Sequence, residues 1–308
     1  ALLLALRSPE LEVTAVTTVS GNVPVDMATR NVFRVLSFFP PSRRPRVAMG
    51  ASKPLQKQPV YAFSIHGEDG LGGLGRYMDS SGRPRYPEPP GNPCDRSGVE
   101  EILFQISSEP GAVTLIALGP LTNIAEAIRR ERATMALTRE IVLMGGAVTV
   151  PGNVTPAAEF NIFVDPAAAR IVFDSGIPIT LVGLDVTRKV RLSREDLDRR
   201  ISTCETETNR LVRDSTRDLF VISEEREGEA AFSLHDPLAV GVAIDPSFVS
   251  RTPLPVQIET RGEVTEGMTV ADRRPVRADL KKRPNAEVCL DVDSSRFLSF
   301  FLERLCGE

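Results

Sequence analysis

Tryptophan is missing from this 308-residue sequence, and only two histidines are present. Cysteine is scarce as well, and its four copies form no Cys-x-x-Cys pair: Cys94, Cys204, Cys289 and Cys306 lie far apart. Single, widely separated cysteines predict neither a zinc knuckle nor a disulfide framework. We therefore expect the chain to work in a reducing compartment, the cytoplasm.

An excess of positive charge is also absent, because the net charge is −4 and the isoelectric point is near 5.5. A phosphate-backbone partner is not expected, since the arginine-rich pieces are mixed with proline, glycine and acidic residues. The remaining composition, 42% apolar and 25% charged, is typical of a globular protein with a sizeable core. Composition alone allows one large α/β domain or two small ones.

No apolar run is long enough to cross a bilayer, so no membrane partner is predicted. Residues 1–6 are apolar, but they lack an initiator Met, a basic leader and a small-residue cleavage site. The run ends at Arg7-Ser8-Pro9-Glu10, which is a helix-stop pattern. We expect the tail of a helix whose first turn, and at least one preceding strand, are missing from the chain.

The rest of the sequence alternates strands, turns and helices. Buried-strand patterns occur at residues 113–118, 141–144 and 179–182, and helical patterns follow them. This order predicts an α/β protein with an open, mostly parallel sheet flanked by helices. Ligands of such sheets bind beyond the carboxyl ends of the strands. Four loops should meet there: those at Gly21-Asn22, after Leu118, from Met144, and at Leu184-Asp185.

The loop at residues 144–166 is the most informative segment. Its Asn153, Glu159 and Asn161 offer hydrogen-bond donors and acceptors in mixed order, and sugar hydroxyls need both at once. The two asparagines could also serve only as turn formers. Glu159 and Asp165 resemble a glycosidase acid pair, but Asp165 before Pro166 is better explained as a helix cap. The segment predicts a sugar ligand.

Both histidines have polar or acidic neighbours in the sequence. His66 is part of the loop segment Ser-Ile-His-Gly-Glu-Asp-Gly, and His235 precedes Asp236-Pro237. Asp236 could be a helix N-cap with proline at the first helical position. It could also bind a hard cation while the neighbouring imidazole donates a proton, and both interpretations can hold together.

A glycine-rich run at residues 70–75 matches the Gly-x-Gly-x-x-Gly pattern. It follows a polar loop rather than a strand, and no clear helix follows it. A dinucleotide site is therefore not predicted, and the run is interpreted as a flexible lip.

These motifs together resemble the inosine-uridine-preferring nucleoside hydrolase family over nearly the whole chain. The matching segments are residues 16–24, 66–71, 118–125, 144–166 and 234–239. The resemblance implies a single domain over residues 1–308 with a Rossmann-type core. It implies calcium-dependent hydrolysis of the N-glycosidic bond of purine or pyrimidine ribonucleosides to base and ribose. It also implies a homo-oligomer.

The resemblance assigns roles to residues of both the sugar site and the metal site. It implies that the ribose hydroxyls are bound by Asn22, Asn153, Glu159 and Asn161, with Met144 beneath the sugar. It implies that calcium is bound by the Asp236 carboxylate and the Leu118 carbonyl. It also implies that His235 protonates the leaving base and that His66 lines the base pocket. A histidine at position 235 resembles the inosine-uridine type.

The family also begins with a motif Asp-x-Asp-x-x-x-Asp-Asp that supplies most calcium ligands, and the chain starts just after the place where it belongs. Calcium takes about six to eight oxygens, so Asp236 and one carbonyl are too few. Two hypotheses follow. The chain belongs to a nucleoside hydrolase that is calcium-dependent in its complete form, or it is a non-catalytic nucleoside-binding or ribose-binding relative without a working metal site.

Overall fold

The structure is a computed structural model that describes residues 1–275, 277, 280 and 282–306. Its strands in chain order are β1 (Ala15–Thr18), β2 (Arg46–Met49), β3 (Thr114–Ala117), β4 (Glu140–Met144), β5 (Ile179–Val182), β6 (Arg191–Ser193), β7 (Ala231–Ser233), β8 (Val249–Leu254), β9 (Val256–Ile258), β10 (Thr269–Ala271) and β11 (Ala286–Val292). Its helices are α1 (Leu2–Leu6), α2 (Val25–Leu36), α3 (Phe63–His66), α4 (Gly98–Ser108), α5 (Thr122–Arg130), α6 (Arg132–Met135), α7 (Phe160–Val164), α8 (Pro166–Phe173), α9 (Leu184–Thr187), α10 (Arg194–Ile201), α11 (Glu207–Glu227), α12 (His235–Ile244) and α13 (Ser294–Cys306).

The central sheet has the strand order β3-β4-β5-β11-β8. The pairs β3–β4, β4–β5 and β5–β11 are parallel, and β8 runs antiparallel to β11 at one edge. β1 and β2 form a separate parallel pair, and β9 and β10 form an antiparallel pair. The predicted α/β class with a mostly parallel sheet flanked by helices is confirmed.

Both faces of the central strands β4 and β5 are buried, as their continuous apolar sequences predicted. Side chains alternate along β4: Ile141 and Leu143 join the core cluster that contains α4, α5 and α8. Val142 and Met144 join the opposite cluster, which contains α12 and α13. The sheet therefore lies between two helical layers.

The parallel strands bring several loops to one edge of the sheet. Asn123, at the start of α5, links the loops after β1 and β2, because its Nδ2 donates to Thr18 O at 2.8 Å and its Oδ1 accepts from Ala51 N at 2.8 Å. The loops after β4 and β5 are joined by a 2.9 Å hydrogen bond from Leu184 N to Gly146 O. The four loops predicted to meet do so at this edge.

The cysteine prediction was wrong in one respect. Cys204 takes part in a disulfide, whereas Cys94 and Cys289 are free thiols. The cysteines form no spacing motif that marks a disulfide, so no local pattern indicated it.

In the part of the chain that the structure describes, no helix has the length and apolar character needed to cross a bilayer.

Candidate active site

Glu159 organises the loop that follows β4. It is the N-cap of α7, and its backbone is extended (φ −82°, ψ 148°) as an N-cap requires. Oε1 accepts from Asn161 N at 2.9 Å, and Oε2 accepts from Gly146 N at 3.0 Å and Ile162 N at 3.2 Å. The carboxyl thus closes the loop on itself and is 2% exposed. Burial, with the charge of Asp236 adding to it, raises the pKa of Glu159 to about 7 against the three hydrogen bonds that lower it.

Asn161 joins the ends of two strands. Its Nδ2 donates to Met144 O at 3.1 Å and to Leu118 O at 3.4 Å. Met144 is buried and Leu118 is half-buried at the carboxyl end of β3. Three residues that the sequence analysis singled out separately therefore lie in direct contact.

Asn153 and Asn22 are exposed at the rim. Asn153 Oδ1 accepts from Phe160 N at 2.9 Å, so part of this side chain shapes the loop, as the turn-former interpretation held. Asn22 O accepts from Ala62 N at 2.9 Å, which holds the loop after β1 against α3. His66 is the last residue of α3, so Asn22 and His66 lie on one side of the site.

His235 is the first residue of α12, and its Nδ1 lies 2.7 Å from Thr187 Oγ1 of α9. Burial and the positive charges of Arg188 and His66 lower the pKa of His235 to about 4. Burial also lowers the pKa of His66. The two histidines of the chain therefore lie near enough for their charges to interact, and His235 is neutral at pH 7.

Asp236 is not the helix cap that one interpretation made it. α12 begins two residues earlier than the proline pattern suggested, its N-cap is Leu234, and no side chain caps it. Within the described residues, the half-buried carboxylate of Asp236 makes no hydrogen bond or ion pair. Burial raises the pKa of Asp236. The carboxylate therefore has acceptor oxygens left for a ligand, and its charge acts on the nearby Glu159.

Asp165 behaves as predicted. Its Oδ1 accepts from Ala168 N at 3.0 Å, and it caps α8 with Pro166 at the first position. Its Oδ2 accepts from Thr122 Oγ1 at 2.7 Å, so both oxygens of this carboxylate are engaged in structural hydrogen bonds.

The glycine-rich run at residues 70–75 is held by Asp69, whose carboxylate accepts from the backbone N–H groups of Leu71, Gly73 and Leu74 at 2.7–3.0 Å.

Calcium is not accommodated by the described residues alone. Asp236 and the Leu118 carbonyl are the candidate ligands, and that carbonyl already accepts from Asn161. Residues 1–275, 277, 280 and 282–306 contain no group of three or more His, Cys, Asp or Glu side chains arranged to hold a metal ion. Two oxygens fall well short of a calcium shell.

The sequence predicted a site turn at Asp185, but no pattern indicated roles for its neighbours Thr187 and Arg188. Asp185 is buried and accepts from Val148 N at 2.9 Å and Thr149 N at 2.6 Å. Arg188 donates to Pro151 O at 2.9 Å and Gly152 O at 2.7 Å. α9 and the residue after it therefore hold the loop after β4 on one side and His235 on the other. These contacts join residues far apart in sequence, so no local pattern marks them.

Comparison with known proteins identifies the family. The profile described as inosine-uridine preferring nucleoside hydrolase matches residues 1–299. The pyrimidine-specific ribonucleoside hydrolase RihA of Salmonella arizonae is 39% identical over 311 residues, covering 99% of this chain and 93% of that relative. The solved plant nucleoside hydrolase PpNRh1 is 31% identical with a TM-score of 0.89, covering 100% of this chain and 95% of that one. A solved purine-preferring ribonucleoside hydrolase from Gardnerella vaginalis gives the same identity and TM-score and covers 100% and 94%.

The chain belongs to the inosine-uridine preferring nucleoside hydrolase family. The resemblance seen in its motifs and the predicted enzyme class, a nucleoside N-ribohydrolase, are thereby confirmed.

Proposed function

We propose that the protein hydrolyses the N-glycosidic bond of pyrimidine ribonucleosides to free base and ribose at the site around Glu159, Asp236 and His235. The observation that carries this proposal is the Asp236 carboxylate, which is next to His235 at the start of α12 and close enough to the buried Glu159 to raise its pKa. Carboxyl groups and an imidazole are the groups that a reaction with positive charge on the sugar and negative charge on the base requires.

The sugar side consists of Asn22, Asn153, Glu159 and Asn161, with Met144 beneath the ring. Glu159 and Asn161 are fixed by their hydrogen bonds to backbone groups. Both amide hydrogens of Asn161 are already donated, so the two side chains present preset acceptor oxygens. Asn22 and the Asn153 amide nitrogen at the rim complete the set of hydroxyl contacts. The buried carboxyl of Glu159 and the carboxylate of Asp236 favour positive charge developing at C1′.

On the base side, His235 faces the leaving group and His66 lines the pocket. The C1′–N bond breaks with its electron pair going to the base, and a water oxygen bonds to C1′. The water releases one proton to solvent, and the base takes up one proton from solvent. His235 assists by donating a hydrogen bond from Nε2 to the base as its charge grows. Calcium, which the family resemblance implies, has no step here because the described residues do not form its shell.

The pyrimidine preference rests on the relatives. The relative at 39% identity is named pyrimidine-specific, whereas a solved structure at 31% identity is named purine-preferring. Uridine and cytidine are therefore expected to be better substrates than inosine. The cytoplasmic location and the homo-oligomeric state stay predictions, for fractionation and sedimentation to test.

The direct test measures ribose release from uridine, cytidine and inosine, with wild type compared to His235→Ala. We expect His235→Ala to lose roughly 10²-fold or more on natural nucleosides and far less on a nitrophenyl riboside, whose leaving group needs no assistance. Equal losses on both substrates would remove His235 from the leaving-group role. Inosine turned over faster than uridine would contradict the pyrimidine preference.

A second function is favoured by one observation, the shortage of metal ligands among the described residues. A protein that keeps the sugar pocket without a working metal site would bind nucleosides or ribose and not cleave them. Calorimetric titration with uridine and ribose, beside the turnover assay, separates the two functions. An additional arm uses a version that carries an N-terminal Asp-x-Asp-x-x-x-Asp-Asp segment. Binding without turnover in both versions would favour the binding protein.

A further inference from the structure

The hydroxyl of Thr187 has one hydrogen-bond partner among the described residues, and that partner is His235 Nδ1 at 2.7 Å. Thr187 is 0% exposed, within the apolar cluster formed by Val186, Val190, Leu234 and their neighbours. A helical threonine commonly donates to the carbonyl four residues back, as Thr29 does to Val25 O at 2.7 Å. Thr187 makes no such bond, so its hydroxyl is committed to the imidazole.

The direction of this bond follows from what each group can satisfy. If Nδ1 carried the hydrogen, Thr187 would accept it and its own hydroxyl hydrogen would be buried without an acceptor, which is unfavourable. If Nδ1 is bare, the hydroxyl donates to it and both groups are satisfied. The second arrangement places the imidazole hydrogen on Nε2. Within the described residues Nε2 makes no hydrogen bond, so it is available to a ligand.

We infer that Thr187 is a positioning residue that donates its hydroxyl to His235 Nδ1 and thereby holds the imidazole in the Nε2–H tautomer that faces the leaving base. This inference rests on the proposed role of His235.

Thr187 is itself held in place by the site. It ends α9, and Asp185 and Arg188 tie this short helix to the loop after β4 by four hydrogen bonds to backbone groups. α9 therefore fixes both the position of the loop after β4 and the orientation of the His235 imidazole. A shift of α9 would change both sides of the bond to be cleaved.

The tautomer can be read directly because the chain has two histidines. In protein labelled with ¹⁵N-histidine, a His66→Asn variant assigns the two rings. At pH 7 we expect His235 Nδ1 to show the shift of an unprotonated nitrogen that accepts a hydrogen bond, and Nε2 that of a protonated one. Thr187→Val should collapse this pattern into a mixture of tautomers, and Thr187→Ser should keep it. A protonated Nδ1 in the wild type, or an unchanged pattern in Thr187→Val, would overturn the inference.

Thr138→Val is the matched control, since Thr138 is also a buried threonine and its hydroxyl has no hydrogen-bond partner among the residues that the structure describes. It should leave the imidazole spectrum unchanged, and a change there would assign the effect to general loosening of the fold.

Kinetics give the second readout. Thr187→Val should lower kcat on uridine by about ten- to a hundredfold with little change on a nitrophenyl riboside, and Thr187→Ser should recover most of the loss. Equal losses on both substrates would mean that Thr187 is merely structural. If the wild type fails to turn over any nucleoside, the proposed function fails while the spectrum still decides the tautomer.

Discussion

Asp185 and Thr149 are linked twice, because the Asp185 carboxylate accepts from both the backbone N–H and the hydroxyl of Thr149. The same carboxylate accepts from Val148 N at 2.9 Å. These bonds fasten the loop after β4 to α9, although 36 residues separate Asp185 from Thr149. The loop after β4 is therefore held in place by Asp185 of α9 as well as by Glu159 within the loop.

Asp185→Asn should destabilise the protein by about 1–3 kcal/mol, because an amide NH₂ would face a backbone N–H that has lost its acceptor. It should also raise KM for uridine roughly tenfold, since the loop that carries Asn153 and Glu159 loses its anchor. Urea denaturation and initial-rate kinetics measure the two effects. Asp174→Asn, at an exposed acid on α8's C-cap, is the control. Unchanged stability in Asp185→Asn would show that these bonds do not hold the loop.

Glu159 predicts a pH-dependent stability. Its pKa is raised from an ordinary 4.5 to about 7, so its contribution is fully present below pH 4.5 and is lost as the pH rises through 7. The loss amounts to roughly 3 kcal/mol between pH 4.5 and pH 8. Urea denaturation in EDTA across this range should show a steeper decline in the free energy of unfolding for wild type than for Glu159→Gln.

Glu159→Gln is expected to be less stable at every pH, because its amide NH₂ must face a backbone N–H. The quantity to compare is therefore the slope of the free energy of unfolding against pH, not its absolute value. Parallel slopes in the two proteins would show that Glu159 is ionised throughout, with its three N–H donors outweighing burial.

Calcium is expected to have little effect on this chain. Two candidate ligands, the Asp236 carboxylate and the Leu118 carbonyl, give weak binding, and a ligand well below its Kd barely shifts the folding equilibrium. Adding about 1 mM calcium should therefore move Tm by less than about 1 °C. A larger rise that is lost in Asp236→Asn would show that further oxygens complete the shell.

The sequence predicted the layers of the fold and the edge where the site lies, because buried strands, helix caps and turns leave local patterns. Asp165 is an example, since its cap with Pro166 was read directly. The interpretation of Asp236 as a helix cap was wrong, because in the packed structure α12 begins at His235, before the proline. Thr187 and Arg188 were missed because their partners lie dozens of residues away. Nothing in a sequence window distinguishes such a threonine from any other buried one.

Tyr86 and Asp214 provide a test of how the base side is held. Tyr86 Oη donates to Asp214 Oδ2 at 2.8 Å, and Arg85 pairs with the same oxygen at 3.1 Å. Tyr86 packs with Leu74 and Leu211, so the bond fixes the segment after His66 against α11. Burial and the hydrogen bond to Asp214 raise the pKa of Tyr86, which stays neutral and donates.

Tyr86→Phe should lower the free energy of unfolding by about 1 kcal/mol, the value of one hydrogen bond. Asp214→Asn should cost more, because it also leaves Arg85 without its charge partner. The double variant should lose less than the sum, since both single changes remove the same bond. Tyr61→Phe is the control, because its hydroxyl makes no hydrogen bond among the described residues. Additive losses in the double variant would show that Tyr86 and Asp214 stabilise the base side independently.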